Sequence, residues 1–326
     1  MRIFITGGSG FIGTAVIRAL GGAHEFVALS RSAASDTVLQ SLGARPVRGD
    51  LEGVAATQLR GCEALVHCAA HIGPGGDRAF YQRINVAGTE RLLAAARAAG
   101  VRRFVHLGTE AGCFRGQHLR DIDESCPLVP DSPYHYPATK AQAELAVLAA
   151  NDPAGGLETL SLRPRLVWGP GDRTLLPGLL AAARRHAPVL VDGGRHRTST
   201  THVDNVVHGV ALLLEGAGRG GEAYFVTDGP TRTFREVVTA LLATQGLAPS
   251  RLALPGGPLR AGVFLLQKSA EAIGMAGALP INRFSAALLA RECTIRIDKA
   301  RRELGYTPVT TWEEGLARLP VLRTTV

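Results

Sequence analysis

Short apolar segments alternate with longer amphipathic segments through the first half of the chain. In long segments such as residues 85–100 (NVAGTERLLAAARAAG), apolar residues recur at i, i+3 and i+4, which predicts helices. The short segments are rich in β-branched and aromatic residues, which predicts strands. The predicted strands are RIFIT (2–6), EFVALS (25–30), ALVHCAA (64–70), RFVHLG (103–108) and TLSLRP (159–164). Because strands that alternate with helices are typical of right-handed βαβ units, the sequence predicts an α/β fold with a doubly wound parallel sheet.

The pattern changes after residue 165. Turn-forming residues cluster in WGPGD (168–172), and EAYFVTDG (222–229) predicts one more strand that returns to the main sheet. Residues 251–292 are apolar but interrupted by Gly and Pro, and their position favours the core of a small second domain; the alternative is the lining of an apolar pocket. The predicted domains are a larger one of residues 1–167, with 200–229 returning to it, and a smaller C-terminal one of 168–199 and 230–326.

The composition is that of an ordinary globular protein, with 46% hydrophobic and 20% charged residues in 326. The net charge of +8 comes from scattered arginines, and aromatic residues are only 5% of the chain. A nucleic-acid partner is therefore not expected. The five cysteines form no CxxC pair, so we predict neither a disulfide framework nor a metal site. No apolar run reaches about 18 residues without a charge, and a strand begins at the N-terminus, so we expect neither a membrane span nor a signal peptide and predict a cytoplasmic protein.

A glycine-rich segment, ITGGSGFIG (5–13), lies between the first predicted strand and the first predicted helix. Gly7, Gly10 and Gly13 permit a tight turn, a close approach of the backbone to a pyrophosphate and close packing of the helix on the sheet. The exposed N–H groups at the helix N-terminus then face the anion. The strand before and the helix after are the context that this mechanism requires, so the segment predicts a Rossmann-type dinucleotide site.

The end of the second strand bears on which dinucleotide binds. NAD-binding proteins usually place an acidic residue there, on the ribose 2′-hydroxyl, whereas a basic residue accommodates a 2′-phosphate. Here the strand ends Leu29-Ser30-Arg31-Ser32, without a carboxylate. Arg31 can hold a phosphate with two hydrogen bonds and the serines can donate to it, so NADP is favoured over NAD.

Lysine is rare in this chain, since only Lys140, Lys268 and Lys299 are lysines among 36 basic residues. Lys140 follows Tyr136 by four residues in a segment that continues as a helix, so the two lie on one face. A nearby cation lowers the pKa of a phenol from its usual value near 10. A compact ammonium can also donate to a ribose. The pair therefore predicts a tyrosine acid/base with a lysine partner.

Six motifs in order give the chain a recognisable pattern. They are TGGSGFIG at the N-terminus, GDL (49–51), HCAA (67–70), NVAGT (85–89), YPATK (136–140) and LRPRLVWGPGD (162–172). This pattern resembles the extended short-chain dehydrogenase/reductase family over nearly the whole chain. The resemblance implies that the smaller domain binds the substrate and that a homodimer forms through the helices of residues 85–100 and 136–150.

The resemblance also implies roles for residues at matching positions. Tyr136 is the implied catalytic acid/base, Lys140 is its partner and also binds the nicotinamide ribose, and Thr109 is the third catalytic residue. Two departures affect the Thr109 register, because Gly108 replaces a usual serine and Cys113-Phe114 replaces an aromatic-Gly pair. The residues assigned to the cofactor are Gly7, Ser9, Gly10, Phe11, Ile12, Gly13, Arg31, Ser32, Asp50, Leu51, Ala69, Ala70, Asn85, Tyr136, Lys140 and Pro164.

Three enzyme subclasses resemble this chain and differ in reaction. Sugar-nucleotide dehydratases carry Asp-Glu after the catalytic Thr, whereas Thr109 precedes Glu110-Ala111, so the base for elimination is missing. Epimerases carry Arg-Asp-aromatic before Val-Asp-Asp, a pattern that is broken here although Arg197 lies one position away. The third subclass is the 3β-hydroxysteroid dehydrogenase-like group, including bacterial 2-alkyl-3-oxoalkanoate reductases.

Similarity to the third group extends to TTHVDN, GEAYFVTDG and the late LGYTP…EEGL. We therefore predict an NADP-dependent oxidoreductase that interconverts a secondary alcohol and a ketone on a bulky apolar substrate, with residues 251–292 as a lid. A nucleotide-sugar epimerase or dehydratase, or a non-catalytic NADP-sensing regulator, is the alternative.

Overall fold

The fold is taken from a computed structural model that describes residues 1–73, 75–250, 252–258, 262 and 283–321. Most of the apolar segment 251–292 lies outside the described residues, so its predicted lid or core role is not addressed by the structure.

The helices and strands follow the alternation that the apolar pattern predicts. The strands are β1 (Arg2–Thr6), β2 (Glu25–Ser30), β3 (Arg45–Arg48), β4 (Ala64–His67), β5 (Arg103–Leu107), β6 (Leu119–Ile122), β7 (Glu158–Pro164), β8 (Val167–Trp168), β9 (Leu190–Val191), β10 (Arg197–Thr198), β11 (Thr201–His202), β12 (Ala223–Val226), β13 (Arg232–Thr233), β14 (Ala253–Leu254) and β15 (Cys293–Ile295). The helices are α1 (Phe11–Leu20), α2 (Ala33–Ser41), α3 (Arg78–Tyr81), α4 (Gly88–Ala98), α5 (His135–Ala149), α6 (Leu175–Arg184), α7 (Val203–Leu214) and α8 (Phe234–Ala243), followed by Arg283–Leu289, Asp298–Leu304 and Trp312–Ala317. A π-helical turn, Gln82–Ala87, joins α3 to α4.

A seven-stranded parallel sheet forms the centre of the molecule, in the order β12-β7-β5-β4-β1-β2-β3. Its strands are buried on both faces, as expected for a sheet covered by helices. The predicted doubly wound α/β fold is confirmed. β3 was not among the predicted strands, because RPVR has no apolar run; it pairs with β2 at the edge of the sheet.

The direction of winding reverses between β1 and β4. From β1 the chain moves outward to β2 and β3, and it then returns to β4 on the other side of β1. In open α/β sheets, ligands bind outside the carboxyl ends of the strands at this reversal. The glycine segment follows β1 and the residues after β4 face it, so the fold brings both to the expected binding position.

Smaller elements lie beyond the central sheet. A second sheet has the order β13-β10-β15-β6, and two-stranded pairs β11-β8 and β14-β9 accompany it. A separate apolar cluster packs Trp168 with α6, α8 and Trp312. β12 pairs with β7 in the central sheet, from Ala223 opposite Ser161 to Val226 opposite Pro164.

Candidate active site

The glycine segment forms a tight turn that only residues without a side chain can make. Gly7 has φ +69°, and a Cβ there would lie 2.8 Å from the backbone N of Ala69. A Cβ on Gly13 would lie 2.2 Å from the carbonyl oxygen of Gly7, so α1 packs directly on the turn. Gly10 closes the turn, with its N–H donating to the Gly7 carbonyl at 2.9 Å. Gly7 and Gly13 thus sit where the turn and the packing of α1 leave no room for a side chain.

A cleft of about 380 Å³ opens beside this turn, and we call it the glycine-loop cleft. Its lining residues are Thr6, Gly7, Ser9, Gly10, Leu29, Arg31, Ser35, Asp50, Leu51, Glu52, Cys68, Ala69, Ala70, His71, Phe80, Ile84 and Arg173. Eight of the residues that the sequence assigned to a cofactor are in this set, and they come from four separate segments of the chain.

Other predicted cofactor residues do not line the cleft and lie at the edge of the sheet formed by the carboxyl ends of its strands. Phe11 and Ile12 form the first turn of α1, and Pro164 ends β7. Ser32 caps α2: its Oγ accepts from the Ser35 N–H at 3.2 Å and donates to the Ser35 hydroxyl at 3.1 Å. Ser35, which the sequence analysis missed, lines the cleft in its place.

Asn85 joins two parts of the site through its side-chain amide. Its Oδ1 accepts from the His71 N–H at 2.7 Å, and its Nδ2 donates to the His71 carbonyl at 3.1 Å and to the Thr139 hydroxyl at 3.1 Å. The segment after β4 is thereby tied to α5, the helix that carries Tyr136 and Lys140.

Two arginines lie in the wall of the glycine-loop cleft. Arg31 follows β2 and Arg173 follows the WGPGD turn; both are exposed. Neither guanidinium has an ion-pair partner among the residues that the structure describes. Arg173 was not predicted, although its position directly after a Gly-Pro-Gly-Asp turn near the motif residues was an available signal.

Tyr136 and Lys140 lie one turn apart on α5, as the spacing predicted, and their polar atoms have different neighbours. Lys140 is buried, and its Nζ donates to the Leu107 carbonyl at 2.7 Å and to His106 Nε2 at 3.1 Å. Burial lowers the pKa of Lys140 to about 8, against an opposing effect of Glu144. The Lys140 ammonium is thus hydrogen-bonded to the last two residues of β5.

The pKa of Tyr136 is shifted upward. Burial is the largest cause, the Glu110 carboxylate is the second, and the hydrogen bond with Thr109 acts in the opposite direction. The spacing of Tyr136 and Lys140 predicted a lowered pKa for the phenol, and this prediction was wrong, because burial and the Glu110 carboxylate dominate and the Lys140 ammonium is bonded to β5.

Thr109 and Glu110 lie next to Tyr136 at the end of β5. Thr109 Oγ1 donates to Glu110 Oε2 at 2.9 Å and accepts from the Ala111 N–H at 3.3 Å. Glu110 Oε1 accepts from Arg165 Nη1, and both side chains of this ion pair are buried. We call Thr109, Glu110, Tyr136, Lys140 and Arg165 the polar cluster. Glu110 and Arg165 were not predicted as members, because nothing in the sequence pairs two residues 55 positions apart.

A second buried ion pair lies close to Lys140. Arg163 Nε donates to Glu144 Oε1 at 2.7 Å, and the two side chains are 3% and 1% exposed. This pair also explains the unusual Gly108, since a Cβ there would lie 2.6 Å from Ser161 Oγ and 3.1 Å from Glu144 Oε2. Glycine is therefore required by packing, and it does not displace Thr109 from the site.

An aromatic surface covers the other side of the tyrosine. The Phe284 ring lies 5.6 Å from the Tyr136 ring, 6.1 Å from that of Tyr134 and 6.0 Å from that of Phe114. Phe284 belongs to the helix Arg283–Leu289, at the end of the late apolar segment. The residues that surround the Tyr136 phenol are thus polar on the side of β5 and aromatic on the side of this helix.

Comparisons with known proteins agree with this geometry. Residues 3–226 match the model of the NAD dependent epimerase/dehydratase family. A 4-hydroxy-2-methyl-3-oxo-4-farnesyl-3,4-dihydroquinoline-1-oxide ketoreductase of Stigmatella aurantiaca is 44% identical, with 98% of this chain and 96% of that protein covered. A 2-alkyl-3-oxoalkanoate reductase of Stenotrophomonas maltophilia is 37% identical, with 98% of both chains covered.

A solved structure shares the whole fold. The dTDP-glucose 4,6-dehydratase DesIV of Streptomyces venezuelae, with NAD and TYD bound, superposes with a TM-score of 0.74 at 29% identity, covering 98% of this chain and 95% of that one. The family predicted from the six motifs is confirmed. This chain belongs to the NAD dependent epimerase/dehydratase family, the extended branch of the short-chain dehydrogenases/reductases, and is an NAD(P)-dependent enzyme.

Proposed function

We propose that this enzyme uses NADP to interconvert a ketone and a secondary alcohol on a bulky apolar substrate. The observation that carries the proposal is the convergence of Tyr136, Thr109 and Lys140 at the carboxyl ends of the strands that border the glycine-loop cleft. The two relatives named above, a ketoreductase and an oxoalkanoate reductase, support the reaction type.

The glycine-loop cleft fits a dinucleotide. The Gly7 and Gly13 positions have no room for a Cβ, whereas a Cβ on Gly10 would meet only the Gly7 carbonyl oxygen, at 3.1 Å, so its open side is free for a pyrophosphate. The Asp50 and Leu51 side of the cleft would hold the adenine, and Ala69 and Ala70 would lie along the ribose and phosphates. Two exposed guanidinium groups, those of Arg31 and Arg173, support a phosphorylated ribose and hence NADP over NAD.

Tyr136 is the proposed general acid and base. When bound, the reduced nicotinamide supplies the hydride. Tyr136 Oη gives its proton to the ketone oxygen as the alcohol forms, and Thr109 donates to the same oxygen by turning its hydroxyl away from Glu110. Lys140 uses two of its three N–H groups on β5, so the third is free to donate to the nicotinamide ribose. Asn85 and Pro164 would border the nicotinamide.

The substrate class follows from the relatives and from the aromatic surface. The substrates named for the two relatives are a farnesylated quinoline derivative and 2-alkyl-3-oxoalkanoates, and farnesyl and alkyl groups are both apolar. Phe284 beside Tyr136 supports contact of an apolar body with the catalytic phenol.

The experiment is a single-turnover assay of NADPH absorbance with a panel of bulky ketones: a 2-alkyl-3-oxoalkanoate, a 3-ketosteroid and a 3-oxo-dihydroquinoline. We expect oxidation of NADPH with at least one of them. Tyr136→Phe should reduce the rate at least about 100-fold, the usual contribution of a general acid, while the NADPH dissociation constant stays within about twofold of the parent.

Tyr224→Phe is the matched control, since that tyrosine is on β12 with its hydroxyl on Glu303, and it should keep the parent rate. A Tyr136→Phe enzyme that still turns over, or one that no longer binds NADPH, would remove Tyr136 from the proposed role.

The sugar-nucleotide alternative has less support. Elimination needs a second acidic group after Thr109, and the corresponding side chain is the buried methyl of Ala111. Arg197, the residue that stood nearest to the epimerase diphosphate position, donates from Nε to the Thr231 hydroxyl at 3.1 Å. Incubation with UDP-glucose or dTDP-glucose and NAD, followed by chromatography of the sugar nucleotide, tests this alternative, because both reactions return the hydride and leave no net change in NADH absorbance.

The remaining features are proposals of the same kind. We propose the two domains with the boundaries given by the sequence, since β12 pairs with β7 while Trp168 packs with the later helices. A homodimer through α4 and α5 is supported by Leu145, an α5 leucine that is 43% exposed. A cytoplasmic location is supported by five cysteines that are all free thiols. No helix in the described part of the chain has the length and apolarity of a membrane span.

A further inference from the structure

The ion pair of Glu110 and Arg165 lies directly beside the proposed catalytic hydroxyls, yet the proposed reaction does not use it. Glu110 is 4% exposed and Arg165 is 3% exposed. Besides its bond to Glu110, Arg165 donates from Nε to the Thr198 hydroxyl at 3.0 Å and from its backbone N–H to the Thr201 hydroxyl at 3.1 Å. The guanidinium is thus held by Thr198 of the second sheet, and the Arg165 backbone is held by β11. The carboxylate it holds therefore has a fixed position relative to Tyr136.

Glu110 competes with Tyr136 for one hydrogen atom. A threonine hydroxyl has a single hydrogen, and an ionised carboxylate can only accept. While Thr109 donates to Glu110 Oε2 at 2.9 Å, it has no hydrogen for a phenolate at Tyr136, so a Thr109 hydrogen bond lowers the Tyr136 pKa only when the hydroxyl turns away from Glu110. A negative charge on Glu110 also opposes a second negative charge on the adjacent phenol. Both effects disfavour the phenolate.

Few other titratable groups act on this phenol. Tyr81 makes a smaller contribution to the raised pKa of Tyr136, after burial and Glu110. Burial raises the pKa of the Cys293 thiol, which faces Arg165, to about 12, so it stays neutral. Lys140, on the same helix, directs its ammonium at β5. Within the described residues, Glu110 is the one carboxylate among the causes of the Tyr136 shift.

We propose that Glu110 is a positioning residue that keeps Tyr136 in its protonated form and thereby biases the site toward ketone reduction. A general acid must carry its proton before the hydride is transferred, and an added negative charge nearby extends the pH range over which it does so. This inference rests on the proposed function, because it takes Tyr136 as the acid.

The test measures the titration of Tyr136 directly, without a substrate. The full-length protein is labelled with ¹³Cζ-tyrosine, and the Tyr136 resonance is identified by its loss in Tyr136→Phe. We expect Glu110→Gln to lower the titration midpoint of Tyr136 by about one pH unit, or, at the highest pH at which the fold persists, to increase its phenolate fraction. An equal midpoint or fraction in parent and variant, including no phenolate in either, would overturn the proposal.

A paired substitution removes both charges, in case the single variant does not fold. Glu110→Gln combined with Arg165→Met replaces the buried pair by neutral side chains, which proteins often tolerate. Its Tyr136 midpoint should also fall, by less than in the single variant, because the favourable charge of Arg165 is lost as well. The matched control is Glu144→Gln combined with Arg163→Met, the other buried pair, which should leave the Tyr136 midpoint unchanged. If the two double variants shift Tyr136 alike, the effect is general and Glu110 has no specific role.

A kinetic readout separates this inference from the proposed function. With a ketone of the panel that the parent reduces, Glu110→Gln should move the alkaline limb of the reduction rate to lower pH, since a phenol with a lower pKa loses its proton earlier. If no ketone is reduced, the proposed function fails while the titration still decides the effect of Glu110. If reduction depends on Tyr136 but neither its titration nor the alkaline limb moves in Glu110→Gln, only the inference about Glu110 fails.

Discussion

The glycine-loop cleft and the polar cluster lie at the same edge of the central sheet, and they are built from different parts of the protein. The cleft is formed mainly by backbone, with glycines at the points of closest approach. The polar cluster is formed by side chains of the segment after β5, of α5 and of the segment after β7, and an ion pair joins Glu110 to Arg165, which is distant in sequence.

The difference has a chemical reason. A pyrophosphate is bound by N–H groups that every residue carries, so the cleft needs room and turn geometry more than particular side chains. A proton-transfer site needs groups of defined charge at defined positions, and each buried charge requires a partner. Substitutions in the two regions should therefore act differently: in the cleft on binding, and in the cluster on protonation.

The largest effect is expected from a single methyl group in the cleft. In Gly13→Ala the new Cβ would lie 2.2 Å from the Gly7 carbonyl oxygen, so the turn or the helix must move. Overpacking of this kind costs up to about 3 kcal/mol, and we expect the dissociation constants of NADPH and NADH to rise together by about 100-fold. Fluorescence titration of each reduced dinucleotide measures both values.

Gly22→Ala is the control, because a Cβ at that position meets nothing within 4 Å. It should bind both dinucleotides as the parent does. Unchanged affinity in Gly13→Ala would mean that the close approach of α1 to the turn has no part in binding.

The cleft could be predicted from the sequence because its signals are local. Gly7, Gly10 and Gly13 lie within seven residues, directly after an apolar strand, and the motif at Ala69 and Ala70 follows another strand of the same sheet. Parallel strands align their carboxyl ends, so the order of motifs along the chain becomes proximity at one edge.

The next effect distinguishes the two dinucleotides. In Arg31→Asp a guanidinium in the cleft wall becomes a carboxylate, so a 2′-phosphate loses a charge-assisted hydrogen bond and meets a like charge. We expect NADPH affinity to fall about tenfold, from a loss of about 1.5 kcal/mol, and NADH affinity to stay equal or rise. The same fluorescence titrations measure the ratio.

Arg60→Asp makes the same charge change at an exposed position that does not line the cleft, and it should not alter the ratio. If the ratio is also unchanged in Arg31→Asp, Arg31 does not contact the phosphate. Arg173→Ala would then test the second guanidinium of the wall.

The environment of the polar cluster could not be predicted in the same way. The sequence indicated Tyr136 and Lys140 from their spacing on one helix, but it contained no signal that Lys140 would bond to His106 and the Leu107 carbonyl. Contacts of this kind depend on how a helix packs against a strand that is distant in sequence, here α5 against β5. The prediction that the Tyr136 pKa would be lowered was wrong because the two main causes of its shift, burial and the nearby Glu110 carboxylate, arise only in the folded protein.

The smallest expected effect is a pH dependence of the free energy of unfolding that arises from the charge of Lys140. Burial lowers the pKa of Lys140 from 10.5 to about 8, so between these values the unfolded chain binds a proton that the folded chain does not. The free energy of unfolding of the parent should therefore rise with pH in this window as the cost of the buried charge disappears. Lys140→Met has no titrating group at this position. The free energy of unfolding of the variant minus that of the parent should therefore fall by about 1 kcal/mol from about pH 7 to about pH 9, and any effect of the substitution that does not depend on pH leaves this fall unchanged. Urea denaturation at a series of pH values measures this difference.

Lys299→Met is the matched lysine, and we expect it to follow the parent profile because that ammonium has a carboxylate partner, Glu222, at 2.6 Å. A difference between Lys140→Met and the parent that does not change with pH would mean that β5 holds the ammonium without the cost of burial, and the contrast between a binding cleft made of backbone and a catalytic cluster made of buried charges would not extend to Lys140.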